Sequence, residues 1–180
     1  MTGATSPVVV ETSDVATTVI AALGLAFALA ALAWQAWSFR QAGSRVRVEI
    51  RSGLMGAVGM VTTPGAATAQ QLEQLREQGY STPVIAVRVM NSGRGATSVV
   101  SVAILYEGGA AFENQAAMDP PLPYRLEGEH EETWRFDGQQ VTAYAAALAA
   151  TQLGGRTIRA RVTLGGRDKP IASANVIRLS

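Results

Sequence analysis

A stretch of 25 consecutive uncharged residues, Val15–Phe39, constrains this chain more than any other feature of its sequence. A helix rises about 1.5 Å per residue, so a segment of this length can cross a hydrocarbon core of about 30 Å. Its strongly apolar side chains are set among alanines and are Val19, Ile20, Leu23, Leu25, Phe27, Leu29 and Leu32. The stretch predicts a transmembrane helix over residues 15–39, between an extracytoplasmic tail (1–14) and a folded domain (40–180).

Two other interpretations of the apolar stretch compete with a membrane anchor. A buried helix of a soluble protein carries a polar stripe, and the middle of this stretch has none. A cleaved signal peptide is the stronger alternative, because Ala31–Ala33 resembles a cleavage site made of small residues. Signal peptides begin with a positively charged segment, whereas residues 1–14 contain Glu11 and Asp14 and no Lys or Arg. The sequence therefore favours the anchor.

Aromatic and basic residues at the end of the stretch predict how the helix sits in the membrane. Trp34 and Trp37 lie three residues apart, as in the aromatic belt at a membrane interface. No basic residue precedes the stretch, and four arginines follow it closely: Arg40, Arg45, Arg47 and Arg51. Short basic flanks stay in the cytoplasm, so we expect a single-pass inner-membrane protein with its N-terminus outside and its domain cytoplasmic. These six residues form the predicted interface with the lipid bilayer, and a solvated strand face is the alternative for the arginines.

The remainder of the chain alternates between apolar and polar residues and is interrupted by Gly and Pro, as in β-strands joined by turns. The pattern predicts seven strands, at residues 45–51, 84–90, 98–106, 122–126, 132–136, 157–164 and 172–178. In the first of them, Val46, Val48 and Ile50 share a face that we expect to be buried. Short connections without helical crossovers predict a mainly β fold, an immunoglobulin-like antiparallel β-sandwich. We expect neither the Cys pair nor the buried tryptophan of antibody domains.

Two segments depart from the strand pattern. Residues 66–78 are polar and predict a short helix or a mobile loop. Residues 139–153 predict a helix, with Asp137 as its N-terminal cap and Gly154 as its stop. One face of this helix carries apolar side chains at helical spacing, namely Val141, Tyr144, Ala145 and Leu148. We interpret this face as packing across one end of the sandwich; the alternative is a partner-docking helix, which the absence of charge suggests.

Three short segments in the second half of the chain resemble those of a known group of proteins. They are VMNSGR at 89–94, LPYRLEG at 122–128 and TWRFD at 133–137. They look like segments of small uncharacterised bacterial proteins in which one N-terminal membrane helix precedes an immunoglobulin-like β-sandwich. The resemblance covers residues 84–178, rests on turn and core residues, and implies the fold without adding a catalytic residue. The use of 14 Arg against one Lys is also typical of a GC-rich bacterial source.

Residue types that carry chemistry in enzymes are sparse in this sequence. The one histidine, His130, lies in the acidic segment 127–132, which we interpret as an exposed turn; the alternatives are a metal site or an enzyme that uses this turn. One His without Cys cannot build a common zinc site, and no Gly-x-Ser-x-Gly motif is present. Gly53, Gly56 and Gly59 fit neither phosphate-loop pattern and predict a bent or bulged strand. We expect no catalytic residue, no metal and no cofactor.

Together these patterns predict a membrane-anchored protein-interaction module at the cytoplasmic face rather than an enzyme. A net charge of +1 and the lack of aromatic residues interleaved with the strand arginines argue against nucleic-acid binding. Edge strands and end loops of a sandwich suit an unidentified protein partner. Gly24 and Ala28 form a small-xxx-small pair that permits weak homo-oligomerisation. The alternative is that the same domain faces outside, as an envelope or cell-surface module.

Overall fold

The computed structural model of the chain describes residues 11–113, 118–151 and 156–179, and the side chains of all of these except 11–14, 40 and 41. The chain divides into two compact units, Met1–Ala42 and Gly43–Ser180. Of the predicted N-terminal tail, residues 1–10 lie outside the described residues.

The first unit contains the helix α1, Glu11–Ala42. Its apolar segment Val15–Phe39 has a mean hydropathy of 2.3, and none of it is buried within the protein. The large apolar side chains along the segment are between 52% and 79% exposed. The helix is therefore long and apolar enough to cross a membrane, although a signal sequence has the same properties.

The second unit is mainly β and contains ten strands and two helices within the described residues. In chain order these are β1 (Val46–Gly56), β2 (Gly59–Pro64), α2 (Ala69–Glu77), β3 (Thr82–Asn91), β4 (Thr97–Tyr106), β5 (Ala111–Phe112), β6 (Tyr124–Leu126), β7 (Glu131–Asp137), α3 (Gly138–Ala150), β8 (Thr157–Leu164), β9 (Ile171–Ala172) and β10 (Ile177–Arg178). One sheet has the order β2-β1-β3-β7, and the other has the order β10-β8-β4-β5, with β6 paired to β4 and β9 to β8. All strand pairs are antiparallel. A mainly β fold with antiparallel sheets is confirmed.

Side chains from both sheets form one hydrophobic core. The predicted inward residues Val48 and Ile50 are 3% and 0% exposed, and Val162 of β8 is equally buried. Val141 of α3 is also completely buried within this core. The alternation of apolar residues along the strands therefore correctly predicts which side chains are buried in the core, because successive residues of a strand point to opposite faces.

A buried tryptophan lies in this core without the Cys pair of antibody domains, since the chain contains no Cys. Trp134 of β7 is 0% exposed, and its Nε1 donates a hydrogen bond to the carbonyl oxygen of Pro120 at 2.9 Å. The indole ring stands edge-on to Tyr124, with 5.7 Å between the ring centroids. Trp134 takes the inward position of an alternating strand, between Thr133 and Arg135, and the hydrogen bond satisfies its only polar atom.

The glycine-rich segment after the first predicted strand forms a hairpin, where a bent or bulged strand was expected. β1 continues to Gly56 and returns as β2, a strand that was not predicted. A Cβ atom at Gly53 would lie 1.9 Å from the carbonyl oxygen of Val61. Glycine is therefore required at position 53, where the two strands lie very close together. Because glycine has a low strand preference, the sequence pattern did not predict the hairpin. The two-residue strand β5 was also not predicted.

The last predicted strand, 172–178, is two short strands, β9 and β10, because the chain between them turns toward the other sheet. The Asn175 side chain binds the backbone of Ile50 in β1 through both of its polar atoms. Its Oδ1 accepts from the Ile50 N–H at 3.0 Å, and its Nδ2 donates to the Ile50 carbonyl oxygen at 2.6 Å. Asn175 thus replaces a neighbouring strand at this point and joins the two sheets.

Both helices of this unit begin at a capping residue, and one of these residues, Asp137, was predicted. Thr68 and Gln71 form a capping box at the start of α2, which confirms a helix rather than a loop. The Asp137 carboxylate accepts a hydrogen bond from the backbone N–H of Gln140 at 3.2 Å, so the predicted cap of α3 is also confirmed. The predicted stop, Gly154, lies outside the described residues.

Candidate functional site

The two tryptophans of the predicted membrane interface lie near the end of α1. Trp34 is 73% and Trp37 is 62% exposed. Indole rings with one polar atom are suited to the headgroup region of a bilayer. The Arg40 side chain lies outside the described residues. Nearer the start of α1, Gly24 belongs to the predicted homo-oligomerisation pair. Nothing lies within 4 Å of the position that a Cβ atom would occupy at Gly24, which leaves room for a second helix there.

The other predicted interface arginines differ in their surroundings. Arg45 and Arg47 are exposed, and neither forms an ion pair with any described residue. The Arg51 side chain is only 17% exposed: its guanidinium donates from Nε to the Thr62 hydroxyl and from Nη2 to the Thr62 carbonyl oxygen, both at 3.1 Å. It also pairs with Glu49 at 3.4 Å. Arg51 thus holds β2 against β1, a long-range role that the alternating pattern did not predict.

The apolar face of α3 packs inward. Val141 is completely buried, and Leu148 packs against the edge of the core. The Tyr144 ring is 37% exposed, and its centroid lies 5.3 Å from that of Tyr106 and 5.6 Å from that of Phe112. The three residues considered for partner docking therefore cover the end of the core, and the outward surface of α3 is composed mainly of alanines.

The acidic segment 127–132 forms a turn and the start of β7, and two of its four carboxylates are paired with arginines. Glu127 and Glu131 each form an ion pair with an arginine. The imidazole Nδ1 of His130 lies 2.8 Å from the carbonyl oxygen of Gly128. Among the described residues, no three His, Cys, Asp or Glu side chains are arranged to hold a metal ion. These contacts are those of an ion-paired surface turn.

Two tyrosines have raised pKa values for different reasons. Burial is the main cause that raises the pKa of Tyr106, whose hydroxyl donates to the Val141 carbonyl oxygen at 2.9 Å. The pKa of Tyr124 is raised mainly by a hydrogen bond to the Glu132 carboxylate. Both effects stabilise the neutral phenol, so neither hydroxyl is suited to act as a base or nucleophile near neutral pH.

A cleft of about 330 Å³ lies at the ends of β4 and β8. Its lining includes Tyr106, Glu107, Gly108, Thr157 and Arg159. Among the described residues, this lining has one carboxylate and one guanidinium as its charged groups and no histidine to activate the Thr157 hydroxyl. The cleft thus offers contacts for a small polar group but no assembled catalytic unit.

Asn91, at the end of β3, joins several segments of the chain at one end of the domain. Its Oδ1 accepts from the backbone N–H groups of Arg45 at 3.1 Å and Gly93 at 3.2 Å. Its Nδ2 donates to the carbonyl oxygens of Gly95 at 2.7 Å and Glu127 at 3.0 Å. The sequence indicated a turn here but not this role, because Arg45 and Glu127 are 46 and 36 residues away along the chain.

Comparison with known proteins assigns no function to these residues. No protein-family model, curated protein or solved structure matches the chain.

The edge strands are the parts of the domain whose backbone can pair with another chain. In the second sheet they are only two or three residues long. In the first sheet, β7 is protected: the Thr133 N–H donates to the Glu132 carboxylate at 3.1 Å, and Arg135 pairs with Asp119 beside the strand at 2.9 Å. At the other edge β2 has six uncharged residues and, among the described strands, pairs only with β1. Arg51 already donates to the Thr62 carbonyl oxygen, so the part of β2 around Met60 is the longest uncharged edge left for strand addition among the described strands.

Proposed function

We propose that this chain is a single-pass membrane protein whose Gly43–Ser180 unit is a cytoplasmic, non-enzymatic module that binds another protein. The observation that carries the proposal is the exposure of α1, whose large apolar side chains are 52–79% exposed along the whole of Val15–Phe39. Removing apolar surface from water stabilises by about 25 cal/mol per Å². A bilayer provides that environment around the entire helix.

The direction of the helix follows from the arginines around it. Arg40, Arg45 and Arg47 come directly after the apolar segment, and no basic residue precedes it. Basic residues in short flanks are retained on the cytoplasmic side, so the Gly43–Ser180 unit is placed there. Trp34 and Trp37 then lie at the cytoplasmic interface of the bilayer.

An immunoglobulin-like sandwich is the architecture that we propose for the Gly43–Ser180 unit. Its two antiparallel sheets contribute to one core, and its end loops and edges present backbone to solvent. The ion pairs of the acidic turn and the neutral phenols favour a binding role over the enzyme and metal alternatives. Among the described edges, β2 offers the longest uncharged backbone for a partner strand.

The orientation can be tested by cysteine labelling, because the chain contains no Cys. Val58, in the turn between β1 and β2, is 94% exposed. We expect a membrane-impermeant maleimide to label Ser6→Cys in intact cells and Val58→Cys only after the membrane is opened. As an access control, Val102→Cys at a fully buried position should react only after denaturation.

Two results would contradict this topology. Labelling of Val58→Cys but not of Ser6→Cys in intact cells would place the domain outside. Recovery of the domain from the medium without α1 would identify the apolar segment as a cleaved signal peptide.

Binding at the edge can be tested with a photoreactive amino acid placed at Met60 of β2. We expect irradiation of intact cells to give an adduct of this chain with a different protein, because an added strand would lie beside Met60. The same photoreactive residue at Thr133 of β7 is the matched control and should give no adduct, since that edge is capped by Glu132. Equal adducts at both positions, or an adduct with a second copy of this chain alone, would refute binding of another protein at β2.

A further inference from the structure

The end of the Gly43–Ser180 unit that follows α1 in the chain is formed by residues distant in sequence. It consists of residues 43–45 and the turns 92–96, 127–130 and 165–170, and is called the helix-proximal end below. Gly43 directly follows Ala42, the last residue of α1. This end therefore contains the residues that are covalently joined to the last residue of α1.

We infer that the helix-proximal end binds the anionic headgroups of phospholipids through Arg45, Arg94 and Arg167. All three side chains are exposed, and none lies within 4 Å of a carboxylate among the described residues. Guanidinium groups donate several hydrogen bonds in a planar arrangement that matches phosphate oxygens. The inference rests on the proposed function, since it requires α1 to be inserted in a bilayer.

Backbone contacts bring Arg94, and a side-chain contact brings Arg167, beside residues 43–45, which follow α1. The backbone N–H of Ser92 donates to the carbonyl oxygen of Arg45 at 2.9 Å. A Cβ atom at Gly93 would lie 2.1 Å from the carbonyl oxygen of Gly43, so only glycine permits this approach. The Arg167 guanidinium reaches the Ser44 carbonyl oxygen at 3.5 Å.

Hydrogen bonds also restrict the movement of the turns 92–96 and 127–130 relative to residues 43–45. The buried Asn91 side chain bonds the backbone N–H groups of Arg45 and Gly93, and the Gly93 carbonyl oxygen accepts from the Glu129 N–H at 3.0 Å. Arg45 and Arg94 are thus carried on one hydrogen-bonded framework. A preorganised set of cations loses less conformational entropy on binding than three independent side chains.

The charge at this end is positive when the neighbouring groups are counted. Lys169 lies in the same turn as Arg167, so this end carries four basic side chains, the three arginines and Lys169. Its acidic side chains without an arginine partner are Glu129 and Asp168. The carboxylate of Glu127 is neutralised by Arg125 at 2.8 Å, and that of Glu131 by Arg88. An excess of positive charge within a Debye length of about 8 Å of an anionic leaflet is attracted to it.

A lipid surface fits these groups better than a nucleic acid does. Residues 43–45 and the three turns contain no Phe, Tyr or Trp. The one ring there, the His130 imidazole, contacts the Gly128 carbonyl oxygen at 2.8 Å, so this end lacks the series of aromatic platforms on which successive bases stack. The tether to α1 gives headgroups a far higher local concentration than any freely diffusing anion. The partner is therefore the phosphate surface of the membrane in which α1 is inserted.

The test uses the full-length chain in nanodiscs, with a fluorophore on Ala96→Cys in the turn 92–96. We expect acrylamide to quench this probe about two-fold less in discs containing anionic phosphatidylglycerol than in discs of phosphatidylcholine alone. The protection should disappear in about 1 M salt, where the Debye length is about 3 Å. A probe on Val58→Cys, at the other end of β1, should show no dependence on lipid charge.

Two double variants with the same change of charge distinguish this end from general attraction. Arg94→Gln with Arg167→Gln should abolish the protection at position 96. Arg156→Gln with Arg178→Gln removes two exposed arginines near the opposite end of β8 and should preserve it. All four substitutions are at exposed sites, and unchanged circular dichroism will establish that both variants are folded.

The outcomes separate this inference from the proposed function. If the chain enters the discs but quenching at position 96 is independent of lipid charge, the lipid-binding end is refuted while the anchor stands. The same conclusion follows if both double variants lose protection equally. If the chain fails to enter discs of either composition, the proposed membrane anchor itself is refuted.

Discussion

Replacement of Asn91 by alanine is expected to lower the free energy of unfolding of the Gly43–Ser180 unit by about 3 kcal/mol. The side chain is 1% exposed, and its loss leaves two backbone N–H groups and two carbonyl oxygens without their partner. Each buried group left without a partner costs about 1–3 kcal/mol, and water that enters the loosened turns recovers part of this. Urea unfolding of the full-length chain in detergent micelles, followed by near-ultraviolet circular dichroism, measures the effect.

Two neighbouring variants show whether the effect comes from these four hydrogen bonds. Ser92→Ala removes one exposed bond to the Arg45 carbonyl oxygen and should cost less than about 1 kcal/mol. Asn91→Asp keeps the acceptor but directs a carboxylate at the carbonyl oxygens of Gly95 and Glu127, which raises the pKa of the introduced carboxyl above about 3.9. Its stability relative to Asn91→Ala should therefore increase as the pH falls through that raised value. A loss in Asn91→Ala no larger than in Ser92→Ala would contradict the assignment.

Truncation of Trp134 to alanine should destabilise the same unit by about 4 kcal/mol. The indole is completely buried, packs edge-on against Tyr124, and is bonded to the Pro120 carbonyl oxygen. The variant therefore creates a large cavity and removes one hydrogen-bond donor. Trp134→Phe fills most of that cavity, so its loss should be about 1–2 kcal/mol. Thermal and urea unfolding of the full-length chain in detergent provide both values.

Trp37 offers a matched control for the tryptophan series. It is the same residue type, but it lies on α1 and is 62% exposed within the protein. Trp37→Ala should change the unfolding free energy of the Gly43–Ser180 unit by less than about 0.5 kcal/mol. Equal losses for Trp37→Ala and Trp134→Ala would show that the buried indole does not stabilise the core as described.

Much of the secondary structure follows from local sequence patterns. The apolar run of residues 15–39 specifies a long helix without a polar stripe, and alternation at Val46–Ile50 specifies a strand with one buried face. Capping residues such as Asp137 mark where a helix begins, because they satisfy backbone N–H groups only a few residues away. These features depend on residues close in the chain, so they can be predicted without knowledge of the tertiary fold.

The errors of prediction occur where a distant segment determines the local structure. The hairpin of β1 and β2 depends on a glycine, Gly53, whose purpose is visible only when Val61 is placed beside it. The last predicted strand is divided because Asn175 binds Ile50, 125 residues away. Arg51 has the alternation of a solvent-facing residue, yet its guanidinium is held by Thr62 of the neighbouring strand. None of these partners can be identified from periodicity.

By itself, the sequence determined the apolar helix, the charge asymmetry around it and the faces of most strands, since periodicity records whether a side chain leaves water. Only the tertiary structure decided that Asn91 would join three segments and that Arg94 and Arg167 would lie beside Arg45. The physical reason is that hydrophobic burial is encoded one residue at a time, whereas a hydrogen bond or a cluster of like charges requires two particular segments to meet. Which segments meet depends on the order of strands in the sheets, and that order is absent from any local pattern.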